Sequence, residues 1–496
     1  MTDQGYSLRV GVPRLELPDF YASMSQMNRA SLVMLREGGI VSSELAARIA
    51  AATQRLIDRE ELPGARRSHD YLDFERDLLA AAGPEASWLH VGRSRQDMLS
   101  TGVSLWLRAA HLAFFDDLLA ARAALLDLAS RHVETVIPIY THGVQAQPTS
   151  FAHYLLAFLD GLERTASRAM EAFGRCNRSP LGAGAGTTSS FRIDRERLAE
   201  LLGFDGIVDN AFDANLVAPV DSALELVQVF ATLAVQVAQL MQDLMAQFYL
   251  VDAWLALDPG AMLTGISSMM PQKRNPRVLE VLREHASIII GSAESMTLLA
   301  HNVTSGMSDV RETVTSTVPA ARMHELLFLL ARTVEAMVVD PGRSLAEVNR
   351  DYSTMTNLAE CLVQSAGVPF REAHEFASQL TDYGRRRGLR PPDIAYTDAA
   401  SIYRECTSES MPLSESDFAA AIDAQQVVAT RRGRGGPQTD EVQRMLDRAR
   451  ARIAAHRQWL EERRSVARDA ETQLDSKFRG LVPAGALLGS SEGGAA

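Results

Sequence analysis

The chain predicts an all-α protein, with a central bundle of long helices flanked by smaller helical units at its N- and C-terminal ends. Three observations carry that expectation. Five long runs repeat apolar residues at helical spacing: Ala109 to Arg131, Phe151 to Phe173, Leu224 to Phe248, Val278 to Ala300 and Ala320 to Val339. No proline breaks them. Alternating strand patterns are nearly absent. Helices so long and so apolar bury their faces against many neighbours, so the bundle is expected to be completed by other subunits.

Residues 1–108 hold shorter helical pieces, with turns at "ELPGARRSHD" and "AAGPEASW". The bundle is assigned to 109–352. A smaller helical unit follows at 353–475, with "RRRGLRPPD" and "RRGRGGPQTD" as loops. The tail, 476–496, is Gly/Ala/Ser-rich from Gly480 without periodicity and is expected to be disordered. A chain of 496 residues sets a soft prior of about three domains, and no internal repeat is visible.

Bulk properties exclude several functions. The formal net charge is −12, so nothing here is built to neutralise phosphate backbones, and a nucleic-acid partner is not expected. Cys176, Cys361 and Cys406 show no metal-ligand spacing, which fits a reducing compartment. The opening "MTDQGYSLRVGVPRLELPDF" lacks a charged-then-apolar signal pattern, and a cytoplasmic location is expected. Leu224 to Phe248 is long enough to suggest a membrane span. Gln228, Gln236, Gln239 and Gln242 interrupt it, and it reads instead as a helix buried in the bundle, with no membrane partner.

The polar clusters fall outside the long apolar runs, where function tends to concentrate. "HVGRSRQD" (His90 to Asp97) precedes the bundle, "THGVQAQP" (Thr141 to Pro148) lies between two long runs, and "GISSMMPQKRNP" (Gly265 to Pro276) between the next two. Taken singly, each is a cap or turn: Asp97 or Asn275 starts a helix, with Pro276 at its first position. Taken together, they supply Arg, His, Ser, Lys and Asn with no metal cage and no Gly-rich phosphate cradle, so neither a metal nor a cofactor is expected. Arg95 and Lys273 are natural carboxylate clamps. A serine acts as a base only if cations and backbone donors stabilise its alkoxide. The inventory points to proton abstraction beside a substrate carboxylate.

"SSMMPQKRNP" resembles the signature loop of the fumarase/aspartase superfamily. "HVGRSRQD", "THGVQAQP", "SPLGAGAGTTSSFRIDRE", "NLAECLVQSAGVPFREAHE" and "RGGPQTDEVQRML" are similar to its argininosuccinate lyase branch, in order from about residue 25 to 460. The resemblance implies a fumarase/aspartase-type fold and a homotetramer whose sites each take three loops from three subunits. It implies a carbon–nitrogen lyase that releases fumarate and an amine or amidine from an N-substituted aspartate by β-elimination through an aci-carboxylate. By position, Ser267 matches the catalytic base and Ser268 its neighbour in a mobile loop. Lys273 and Asn275 match residues that stabilise the intermediate and bind a carboxylate. Ser94 and Arg95 match succinate-binding positions. Thr141 matches a substrate contact, and His142 the histidine discussed as general acid.

The chain departs from the family pattern at several points. Gln96 replaces an asparagine, and Val144 a glutamine. Ile266 stands between Gly265 and Ser267 where the family reads Gly-Ser-Ser. Pro219-Val220-Asp221 replaces Asp-Arg-Asp, and a tyrosine expected near 302 is missing from "HNVTSGMSDVRE". The machinery for the succinyl half survives, while the part that recognises the arginine moiety is altered. Three readings follow: a lyase for argininosuccinate, a lyase for another N-substituted aspartate such as ethylenediamine disuccinate, and a catalytically idle structural relative.

Overall fold

The computed structural model describes residues 11–306 and 318–483. Their dominant elements are the expected helices: Arg95–Arg131, Phe151–Cys176, Ala218–Gln247, Arg277–Ala300 and Ala320–Glu335. One continuous apolar core joins them, running from Val103 through Phe151, Phe230 and Ile289 to Leu330. Their order fixes their directions. The first two are joined by a short hairpin and run antiparallel. Arg175 meets Glu225 and Tyr154 meets Asp243, so the third runs antiparallel to the second. Gln228 meets Thr297, so the fourth runs back again.

A second core lies under the N-terminal helices Phe20–Glu37, Ser43–Glu60 and Tyr71–Ala82. A third lies among the helices from Met355 to Ile422. The helix Thr439–Arg479 leaves that third unit altogether. Val442 to Leu460 join the bundle core, and Leu474 and Phe478 join the N-terminal core. This long return ties the bundle core to the N-terminal core, a role that its sequence position conceals.

Several boundaries differ from the sequence expectation. The first bundle helix begins at Arg95, so a division at 108/109 falls inside it. The run from Ala320 ends as helix at Glu335, because Met337–Val339 pairs as a strand with Leu255–Leu257. Consecutive valines suit that edge, and Asp340 then caps the next helix. Among the described residues, strands are present as three short antiparallel pairs. The tail begins later than residue 476: Ser476 to Arg479 finish the last helix, and Phe478 and Val482 are buried. The rest of that tail, 484–496, lies outside the described residues.

The helix Ala218–Gln247 is long and apolar enough to cross a membrane, but half of its most apolar stretch is buried against its neighbours. Leu226, Phe230, Leu233 and Val237 face the bundle core. Val235 on this helix, and Ile288 and Leu298 on the next, remain exposed in the single chain.

Candidate active site

Ser94 to Asp97 begin the first bundle helix. Ser94 is its N-cap, accepting from the Gln96 N–H (3.2 Å), and the Ser94 N–H donates to the Asp97 carboxylate (2.8 Å). This reciprocal pair satisfies two helix-start donors at once. Asp97 is therefore the third helical residue and not the cap. Its second oxygen accepts from the Gly182 and Gly184 N–H groups (2.9 and 3.1 Å). Gly184 lies at φ +62°, and a Cβ there would stand 2.7 Å from the Thr188 carbonyl oxygen. Only glycine fits. Burial pushes the Asp97 carboxyl up to about 6, against the backbone donors that favour its charged form.

Behind this turn, buried Arg93 donates to Asn28 (2.9 Å) and Ser31 (3.2 Å) and stacks its guanidinium 5.0 Å over Tyr71. Arg95 points the other way. It is exposed, pairs with Asp70 at 2.9 Å, and with Gln96 lines a cavity of about 790 Å³ beside Phe20, Tyr71 and Trp106. Arg95 and Gln96 thus line one cavity mouth, and Ser94 stands beside them as the helix cap.

Thr141 and His142 stand elsewhere. "THGVQAQP" is no loose loop but part of a β-hairpin, Val136–Thr141 against Val144–Ser150, with Thr141 opposite Val144. His142 and Gly143 form its two-residue tip at φ 54° and 76°. Two positive φ values mark the type I′ turn that suits hairpin twist. The tip is exposed, so the His142 imidazole faces away from the body of its own chain.

Ser267 and Lys273 lie on a third element, the loop of a small hairpin formed by Gly265–Ile266 and Arg274–Asn275. The Met269 and Met270 N–H groups donate to the Ser267 hydroxyl oxygen at 3.3 and 3.0 Å. Such a turn shapes the loop, and it also places two backbone donors where an alkoxide would form. Ser268 and Lys273 are exposed, while Ser267 and Asn275 are half-buried. Asn275 is a strand residue and Pro276 the N-cap, so neither takes the helix-start position the sequence suggested.

The three elements do not meet within one chain. The hairpin carrying His142 follows the C-terminal end of Arg95–Arg131. The serine loop lies at that same end, since Trp254 packs on Phe151 (5.6 Å) and the Val278 N–H donates to the Leu263 carbonyl. The clamp lies at the opposite end, and the 37-residue helix between them is about 55 Å long at ~1.5 Å per residue. Near the clamp end, Val220 lines a smaller cavity of about 310 Å³ with Leu216, Val217, Leu224 and Val303, and Asp221 is its charged wall. Asn302 stands where the family tyrosine is expected, at φ 61°, and the rest of that stretch, 307–317, lies outside the described residues.

The comparisons agree with this architecture. Residues 67–291 match the model of a lyase family, and residues 352–429 the model described as the argininosuccinate lyase C-terminal region. Argininosuccinate lyase 2 of Shouchella clausii is 34% identical, the match covering 85% of this chain and 89% of that protein. Argininosuccinate lyase of Methanosarcina acetivorans is 30% identical over 91% of this chain and 90% of its own. Among solved structures, an EDDS lyase variant with bound fumarate superposes with a TM-score of 0.83 at 27% identity, covering 94% of this chain and 93% of that one. EDDS lyase in complex with formate gives 0.82 at 26%, with coverages of 96% and 98%. A long-helix bundle with polar loops at both ends and these relatives define a lyase of the fumarase/aspartase superfamily. Within it, the chain belongs to the argininosuccinate lyase family, and it is a fumarate-releasing carbon–nitrogen lyase.

Residues that the sequence reading passed over also build this site. Asp97 was legible only as a helix-start residue, because its glycine partners are far away in sequence. Asp70 was hidden in a turn, although Asp70 with Asp73 three residues on is a helix-start pattern.

Proposed function

We propose that the chain eliminates an amine from an N-substituted aspartate whose amine half differs from that of argininosuccinate. Ser267 is the base, and its oxygen, already receiving two backbone N–H donors, carries this reading. Removing the proton beside a carboxylate builds charge on that carboxylate. Lys273 and Asn275, on the same small hairpin, hold it as an aci-carboxylate while Arg95, Ser94 and Thr141 bind the succinyl half. His142 gives a proton to the departing nitrogen. Ser268 and Gln96 complete the substrate contacts.

The active unit is a homotetramer in which the clamp of one copy meets the hairpin tip and the serine loop of others. Its support is the ~55 Å helix that separates these elements in one chain, together with the apolar residues left exposed on the bundle helices. A cytoplasmic location is part of the same reading.

Specificity is proposed to lie where the chain departs from its family. Val144 is exposed at the hairpin tip, and Val220 lines a cavity of mixed character that also holds Asp221, Thr304 and Ser305. Neither valine side chain can accept a hydrogen bond from a guanidinium group. The EDDS lyase neighbours favour an aminopolycarboxylate such as ethylenediamine disuccinate as the alternative class. The relatives at 30–34% identity favour argininosuccinate itself as a second reading. Fumarate release, followed by its absorbance across a panel of N-substituted aspartates, decides between them. The proposal expects at least one other member to exceed argininosuccinate in kcat/KM, and argininosuccinate turning over best would refute it.

A further inference from the structure

Arg95 has a carboxylate in its grasp before any substrate arrives. Its guanidinium stands at the mouth of the ~790 Å³ cavity and is exposed, and the Asp70 carboxylate lies 2.9 Å from it. Asp70 uses only one oxygen for this contact. The other accepts from the Asp73 N–H at 3.1 Å and caps the helix Tyr71–Ala82. The turn leading to Asp70 is held from behind, because Arg67 pairs with Asp19 at 2.9 Å and lies over the Tyr21 ring at 5.1 Å. Asp19 and Asp70 both border the cavity.

Resting on the reading of Arg95 as the succinyl clamp, we propose that Asp70 is an exchangeable counter-ion, a positioning residue that competes with the substrate carboxylate for Arg95. An exposed pair of this kind is weak, while a carboxylate that meets the guanidinium fork side-on makes two charge-assisted bonds. Substrate therefore displaces Asp70 without unfolding anything, since the cap to Asp73 uses the other oxygen. Until that exchange, Asp70 keeps Arg95 aimed across the cavity mouth and neutralises it. The chemistry recognised is that of a C4 dicarboxylate, and succinate or fumarate suffices as a probe.

The test is calorimetric titration of the full-length assembly with succinate at low and high salt. Asp70→Asn keeps a good N-cap but removes the competing charge. The exchange predicts that Asp70→Asn binds succinate severalfold more tightly at low salt and lowers KM for fumarate release more than it changes kcat. Asp70→Glu, which keeps the charge, stays near the wild type. Unchanged or weaker succinate binding by Asp70→Asn overturns the proposal, whether because Asp70 only props the helix or because it contacts the amine half. A chain that releases fumarate normally while showing that result loses the exchange alone. A chain that releases no fumarate from any panel member loses the wider reading of function.

Discussion

Asp97 shows how much one buried side chain can hold in place. Its carboxylate joins the start of the first bundle helix to the glycine turn at Gly182 and Gly184. Asp97→Ala leaves two buried amides without partners, at about 1–3 kcal/mol each, and should lower Tm by several degrees in a thermal melt. Its titration has a definite sign. The folded state holds this proton at about 6, above the usual carboxylate value, so it binds the proton more tightly than the unfolded chain. The contribution of Asp97 to stability is therefore fully present below the usual carboxylate value and is lost as pH rises through about 6. Chemical denaturation across that window should show the decline in the wild type and a flatter profile in Asp97→Ala. Ser267 makes a different demand. Ser267→Ala removes the proposed base and should cut turnover by ~10²–10⁴-fold or more, with Tm nearly unchanged because the side chain is half-buried in an exposed loop. Retention of more than about a tenth of wild-type turnover would remove Ser267 from that role.

At the scale of elements, the hairpin that carries His142 separates chemistry from folding. Its tip requires positive φ at both positions, and Asn-Gly is the favoured pair for such a turn. His142→Asn should therefore keep or slightly raise Tm while fumarate release falls sharply. A joint loss of Tm and activity would show that the imidazole is structural. The same hairpin marks a limit of the sequence. The long helices were legible because a 3.6-residue period persists over many turns. "THGVQAQP" has no such period, and nothing in it announced a strand pair. The end of the run from Ala320 was misplaced for a related reason. Met337 to Val339 continue the apolar pattern, and only the distant partner Leu255–Leu257 turns them into a strand.

For the whole molecule, the motifs were readable but their separation was not. Ser94, Arg95, Thr141, His142, Ser267 and Lys273 lie in three clusters of the linear chain, and sequence order carries no information about which end of a bundle each will occupy. Helix directions decide that: the clamp goes to one end, the hairpin and the serine loop to the other. The return of Thr439–Arg479 across two cores was likewise invisible, since its apolar residues are sparse and long charged side chains cover much of its surface. Apolar residues left exposed on the bundle, Val235 and Leu298 among them, are those that further copies of the chain are expected to cover. Light scattering should accordingly report a tetramer, and a fully active monomer would contradict a shared site.

Subunit mixing tests the central claim, elimination at a site assembled from several copies, most directly. Ser267→Ala and His142→Asn chains, each inactive alone, are unfolded together, refolded as mixed tetramers and assayed for fumarate release. If the serine loop and the hairpin tip reach a site from different subunits, about a quarter of the sites in an equal random mixture contain both intact residues. Recovery of activity toward that fraction is the result predicted. A mixture that forms tetramers yet stays as inactive as its parents would contradict the account.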